Sequence, residues 1–200
     1  GQPFISENRA GAEGRIAIDI VKAATPDGNT LLFTPIANIC IYPHTQKNLP
    51  YDPLKDFLPV GMVGAFPIGL AVGPMTPAKS LAEFIAWAKA NPKQAAFGTP
   101  GNGNIPHFTG ILFARAAGID LENVPYKGSQ PAIADAMGGQ VAAVVTTLGD
   151  FITQARAGKV RILAHASNQR SPIAPEVPTF KEQGFNIEAN GWYGLFAPAG

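Results

Sequence analysis

FGTPGNGNIPHFTG, residues 97 to 110, places four glycines, two prolines and two asparagines between an apolar run and a helical pattern. A glycine-rich turn that opens a helix leaves backbone amides without partners, and such amides hold anions. Within it, Gly103-Asn104-Ile105-Pro106 reads as glycine, N-cap, any residue, proline, and Gly128-Ser129-Gln130-Pro131 repeats that order one helix later. Asn104 and Ser129 are the expected caps, and a proline in the first turn removes an amide that has no helical partner anyway. In a parallel α/β sheet both helix starts lie on one rim, at the carboxyl ends of their strands. Two positive helix ends with Lys127 beside one of them make an anion cradle.

Working outward, strands are expected at 95–97, 124–126, 141–147 and 160–166, alternating with helices at 104–117, 129–137 and 151–157. Upstream, a short strand is expected at 4–6, a helix at 16–24 closed by Thr25-Pro26-Asp27-Gly28, and a buried strand at 30–34 that stops at Pro35. Ser80 caps a helix that ends at Asn91-Pro92, with Glu83 at the capping-box position. A short helix at 179–183 and a strand at 192–197 complete the pattern. The alternation predicts an α/β fold with largely parallel sheets. No internal repeat or low-complexity stretch interrupts it.

The amides of the 97–110 turn suit a carboxylate better than a nucleotide. The Walker spacing is missing, Gly101-x-Gly103 lacks a third glycine at the dinucleotide spacing, and no acid between 95 and 118 is available for a ribose or a metal. A net charge of +1 argues against a nucleic-acid surface or a polybasic membrane anchor. The long uncharged run at 58–78 contains Pro59, Pro67, Pro74 and Pro77, so it reads as strand, turn, strand rather than a membrane helix. The start, Gly1-Gln2-Pro3-Phe4-Ile5, has no leader pattern, and the end is abrupt, so the expectation is a chain cut at both ends.

Groups for catalysis are few. Cys40, the one cysteine, reads as a small buried apolar residue, which leaves no internal disulfide. Pro43 separates it from His44 on any shared helix face. His107 is placed either to donate to a bound carboxylate or to pack, and His165, inside a strand, reads as structural. Trp87 reads as core, and Trp192 and Tyr193 as core or cleft-flanking. No two carboxylates share a short motif as acid and base. The pattern is an anion site without reaction chemistry or cofactor.

ENRAGAEG (7–14), PDGNTLLF (26–33), LPYDPLKDFLPV (49–60), GTPGNGNIPH (98–107), VPYKGSQPA (124–132), GGQVAAVV (138–145), AGKVRILA (157–164) and GWYGLFAPAG (191–200) follow in fixed order. With these motifs the chain resembles the Bug receptors, the periplasmic solute-binding proteins of tripartite tricarboxylate transporters. The resemblance implies a two-lobed α/β periplasmic-binding-protein architecture of the Venus flytrap type, closing on a carboxylated solute for delivery to membrane subunits. It implies one lobe from 1–73 with 190–200 and another from 74–189, with crossings near Gly73 and Asn190. Carried over by motif, Thr34, Pro35, Ile36, Ala37 and Asn38 would line the first lobe. Thr99, Gly101, Asn102, Gly103, His107, Tyr126, Lys127 and Gly128 would line the second, with Thr146 and Thr147 at its strand end.

Two departures stand out. Family members begin with a further strand, loop and helix and end with further helices. Many carry Asp at the place of Thr146, where threonine suggests a solute without an ammonium, aromatic or dicarboxylic. Two rivals stay open. The effector domain of a bacterial transcription regulator shares this architecture but needs a helix-turn-helix, which these residues lack. An enzyme would have to use His107 or Cys40.

Overall fold

The computed structural model describes residues 3–9, 11 and 14–200. The chain forms two compact units, Gly1–Ala65 with Trp192–Gly200, and Phe66–Gly191. No helix among the described residues is long and apolar enough to cross a membrane.

In the first unit, helix α1 (Arg15–Lys22) starts at Gly14 in the left-handed region (φ 89°) and buries Ile18 and Val21, one turn apart on one face. They pack with Leu32 of strand β1 (Leu32–Pro35), Tyr51, Phe57 and Phe196 of the last strand, β7 (Asn190–Pro198). β1 and β7 are antiparallel, Leu32 opposite Phe196 and Pro35 opposite Tyr193. Phe33 stacks on the diagonal Tyr193 ring at 5.0 Å between centroids. β1 runs into a π-helical turn (Ala37–Ile41), then the short helices α2 (Tyr42–Thr45) and α3 (Pro53–Asp56). Lys22, in the last turn of α1, donates to the Pro50 carbonyl at 2.9 Å and pairs with Asp56 at 2.8 Å. That pairing holds the Asp56 carboxyl below its usual range.

Three expectations for this part are corrected. Residues 4–6 form no strand: Phe4 and Ile5 are almost fully exposed, without a ladder partner among the described residues. Cys40 is exposed, because the π-helical turn buries Ala37 and Asn38 instead. The run at 58–78 is not strand, turn, strand: its residues up to Val72 belong to a single strand, β2 (Phe57–Val72), and the division between the units falls inside it. Pro59 and Pro67 do not break β2 because its register with two neighbours starts only at Ile68 and Gly69, beyond both rings.

The second unit holds helix α4 (Leu81–Ala90), β3 (Ala96–Thr99), α5 (Ile105–Ala117), β4 (Glu122–Pro125), α6 (Ser129–Met137), β5 (Ala143–Thr147), α7 (Leu148–Arg156) and β6 (Arg161–His165). Its strands are ordered β4-β3-β5-β2-β6. β3 is parallel to β4 and β5, while β2 is antiparallel to both β5 and β6. β3, β4, β5 and β6 therefore all run the same way, and β2 runs against them.

Strand alternation splits the core into two layers. Ile68, Leu70, Val72, Phe97, Ala143 and Val145 face Leu81 and Phe84 of α4 and Phe113 of α5. Ala71 and Val144 face Ala132, Ile133 and Ala136 of α6 and Phe151 of α7. Each buried large side chain stabilises by about 1.5–3 kcal/mol, so both faces of this sheet are anchored. Gly110 is required by close approach: a Cβ there would lie 2.2 Å from the fully buried Phe97 ring. Trp87 is partly buried and stacks on Phe84 at 6.1 Å. Glu83 completes its capping box one residue early, accepting from the Lys79 amide at 2.8 Å while Ser80 accepts from the Glu83 amide at 3.2 Å.

Candidate functional site: helix mouths on one sheet rim

The parallel register sets Thr99 beside Pro125 and Gly98 beside Val144, so β3 and β4 end together and β5 runs on from the same edge to Thr147. The helices that follow, α5, α6 and α7, all start on that rim. Two of these mouths are legible as motifs; the third, where Thr147 leads straight into Leu148, is not.

At α5, Asn104 is the N-cap and its Oδ1 accepts from the His107 amide at 3.0 Å. Pro106 has no amide to satisfy, and because the Asn104 side chain accepts from His107, the Asn104 and Ile105 amides have no partners among the described residues. The His107 ring turns back on the same loop, and its Nδ1 accepts from the Gly103 amide at 3.0 Å. Burial lowers the pKa of this ring below its ordinary value. It is thus neutral at pH 7, with its proton on Nε2, a donor suited to a carboxylate. The Gly103 amide is engaged by the ring instead of standing open.

At α6 the cap differs from the expected one. Gly128 is the N-cap (φ 108°, ψ 174°) and Ser129 is the first helical residue. The serine hydroxyl is drawn off by Thr146, 2.8 Å away, and glycine adopts the cap backbone without a side chain. The Ser129 and Gln130 amides are left open among the described residues, because first-turn amides have no carbonyl four residues back and the Gly128 cap has no side chain to accept from them. Neither α5 nor α6 has an acidic residue in its first turn. Lys127 is exposed and has no ion-pair or hydrogen-bond partner among the described residues.

The two loops are tied together. The Tyr126 amide donates to the Thr99 carbonyl at 2.8 Å and the Gly128 amide to the Pro100 carbonyl at 3.3 Å. Thr99 is fully buried, its hydroxyl 2.9 Å from the Gly101 carbonyl and 2.8 Å from Asn123 Oδ1. Asn123 also donates to Asn102 Oδ1 at 2.9 Å. Tyr126 donates to Asp135 at 2.7 Å, and burial with that bond pushes its phenol up to about 12. Thr99, Gly101, Asn102 and Tyr126 therefore hold the loops in shape, while the open donors lie in the first turns and at His107 and Lys127.

At the third mouth, Thr146 is buried between α6 and α7 and donates to Asp150 Oδ2 at 3.3 Å. Asp150 sits in the first turn of α7. Sequence reading missed it: it lies four residues past Thr146 across a strand–helix boundary, in no motif. Its one signal is an acid in a first helical turn. By strand alternation Thr147 lies on the α5 side of the sheet.

In the first unit, Thr34 and Asn38 are brought together and Pro35, Ile36 and Ala37 connect them. Asn38 is buried and donates through Nδ2 to Thr34 Oγ1 at 2.7 Å, while Tyr51 donates to the Asn38 carbonyl at 2.6 Å. Burial raises the Tyr51 phenol well above its ordinary value. Asn38 Oδ1 is buried with no partner among the described residues. Buried polar atoms are nearly always paired, so an orphan marks a place for water or a solute. Gly14 backs the group: a Cβ there would lie 3.0 Å from Asn38 Nδ2, and its φ excludes most side chains.

The histidines and the cysteine form no centre. His165 is fully buried, with Nδ1 3.4 Å from the Ser167 amide and Nε2 3.4 Å from the Ser171 amide. His44 and Cys40 are exposed. Among the described residues, no three His, Cys, Asp or Glu side chains are grouped to hold a metal.

The sequence profile of the Tripartite tricarboxylate transporter family receptor matches residues 1–200. The chain belongs to this receptor family. Protein BugT of Bordetella pertussis is 37% identical over 202 residues, covering 100% of this chain and 62% of that protein. The UPF0065 protein in the gbd 5' region of Cupriavidus necator is 35% identical, covering 100% and 60%. The chain thus spans about 60% of the length of these curated relatives. Among solved structures, a periplasmic transporter superposes with a TM-score of 0.92 at 40% identity, over 100% of this chain and 67% of that one. Rpa4515 of R. palustris with adipate superposes at 0.93 and 30% identity, over 98% and 66%. MatC of Rhodopseudomonas palustris with bound malate superposes at 0.81 and 31% identity, over 95% and 65%. The fold of this family member is the two-lobed α/β periplasmic-binding-protein fold.

Proposed function

We propose that this chain is the solute-binding part of a periplasmic receptor that captures a small organic carboxylate and presents it to the membrane subunits of a tripartite tricarboxylate transporter. The observation that carries the reading is the set of open donors on one rim: the Asn104, Ile105, Ser129 and Gln130 amides, His107 Nε2–H and Lys127. The adipate and malate complexes of family relatives agree with it.

A carboxylate at this rim accepts from the two first turns, with His107 as a neutral donor and Lys127 as a steering charge. Each charge-assisted hydrogen bond contributes about 1.5–3 kcal/mol. Three or four, less the cost of ordering, reach the roughly 8 kcal/mol of micromolar affinity. Solute shifts the receptor toward the closed state by the difference of its affinities for closed and open. No bond is made or broken: the groups that reach the rim donate hydrogen bonds, and none is placed as nucleophile with a base. The receptor uses no cofactor.

The test is calorimetric titration of the full-length receptor with a panel of mono- and dicarboxylates of two to eight carbons, together with mass spectrometry of solute released from the purified protein. At least one acid is expected to bind at micromolar Kd, and the released solute to be an acid. A panel without binding, with release of a neutral or cationic solute, overturns the reading.

A further inference from the structure

We infer that the solute carries a hydrogen-bond donor, a hydroxyl or an ammonium, near its carboxylate, and that Asp150 with the Ser129–Thr146 hydroxyl pair reads it. The inference rests on the carboxylate-receptor reading above and names the class of carboxylate.

The argument is one of hydrogen-bond direction. Thr146 Oγ1 lies 2.8 Å from Ser129 Oγ and 3.3 Å from Asp150 Oδ2. An ionised carboxylate only accepts, so the Thr146 hydrogen goes to Asp150. With its one hydrogen committed, Thr146 receives from Ser129. The chain is polarised from Ser129 through Thr146 to Asp150, and Thr146 is 1% exposed, so water does not scramble it. What this chain leaves for a visitor is a lone pair on Ser129 Oγ and Asp150 Oδ1, both acceptors.

The charge pattern sharpens the point. Asp150 has no ion-pair partner among the described residues, and it alone places an acid in the first turn of a rim helix, since α5 and α6 have none there. The rim is therefore donor-rich at α5 and α6 and acceptor-rich where α6 meets α7. A plain carboxylate offers only oxygens and meets like polarity at the second place. A hydroxy or amino acid meets complementary groups at both. Threonine at 146 does not make this end of the site neutral; it passes the acceptor character to Asp150, one helical turn on. Sites built to pair a polar group reject the analogue that lacks it, because their own groups are then left unpaired.

The experiment titrates the full-length receptor with matched acids: succinate, malate and aspartate; glutarate, 2-hydroxyglutarate and glutamate; propionate, lactate and alanine. In the series that binds, the hydroxy or amino member is expected to be at least about tenfold tighter than the plain acid. The hydroxy and amino arms tell the two donors apart. Asp150→Asn keeps an acceptor for Thr146 but turns an amide N–H₂ outward, so the preference is expected to fall to within about twofold while the plain acid binds no more weakly. Ser129→Ala, as a second variant, is expected to reduce the preference without abolishing binding. An acid in a first turn that serves only its helix dipole leaves the ratio unchanged in Asp150→Asn. Binding of plain acids with no gain from the donor overturns this inference and leaves the carboxylate reading standing. Failure of every acid overturns both.

Discussion

His107 Nδ1 accepts the Gly103 amide hydrogen at 3.0 Å, so one ring fixes both its own tautomer and the loop that precedes its helix. Protonation at Nδ1 would set an N–H against an N–H and break that contact.

The first prediction concerns pH. Burial lowers the pKa of His107 and His165 from 6.5 in the folded protein. The unfolded chain therefore binds more protons in the window below pH 6.5, and stability falls as pH drops through it. The carboxylates held low by hydrogen bonds, Asp56 and Glu182, lose their contribution only below their ordinary values of 3.8 and 4.5. Urea midpoints from pH 7.5 to 5 should fall, and His107→Asn should flatten part of that fall. An unchanged profile would show that the ring titrates alike in both states.

Gly110→Ala should be destabilising by about 1–3 kcal/mol, because overpacking a filled core forces shifts in both partners. The new methyl would meet the Phe97 ring, which has no room to retreat. Chemical denaturation measures it, and a neutral result contradicts the close approach of α5 to β3.

Lys127→Ala should weaken carboxylate binding by about threefold to tenfold at low salt and by less than about twofold at 0.5 M salt, since exposed charges are screened. Titrations at the two ionic strengths decide this. Equal losses would assign Lys127 a packing role.

Asn38→Ala should change the stability of the unliganded protein by less than about 1 kcal/mol, because losing the Thr34 hydrogen bond is offset by removing a buried unpaired acceptor. Urea denaturation measures it, and a loss well above 1 kcal/mol would show that the Asn38 amide is fully paired in the folded protein.

Much of the second unit was legible along the chain. Asn104 caps α5 and α6 spans 129–137, because caps, turn glycines and alternation are constraints that act within a few residues. Errors gathered where longer-range contacts intervene. Residues 4–6 have no ladder partner among the described residues, and β2 passes through Pro59 and Pro67 because its pairing with β5 and β6 begins after them. By residue type alone Cys40 reads as core, whereas the π-helical turn buries its neighbours Ala37 and Asn38 and leaves the cysteine exposed.

The candidate site divides the same way. That glycine-rich turns lead into helices, and that first-turn amides have no helical partner, follows from backbone geometry and could be read from GNIP and GSQP. Which donors stay open depends on partners brought close by register: Ser129 reaches Thr146 across 17 positions, and Asn123 reaches Asn102 across 21. A side chain's local pattern states what it can bond. The fold states what is within 3 Å of it, and hydrogen bonding is too short-ranged for the first to imply the second.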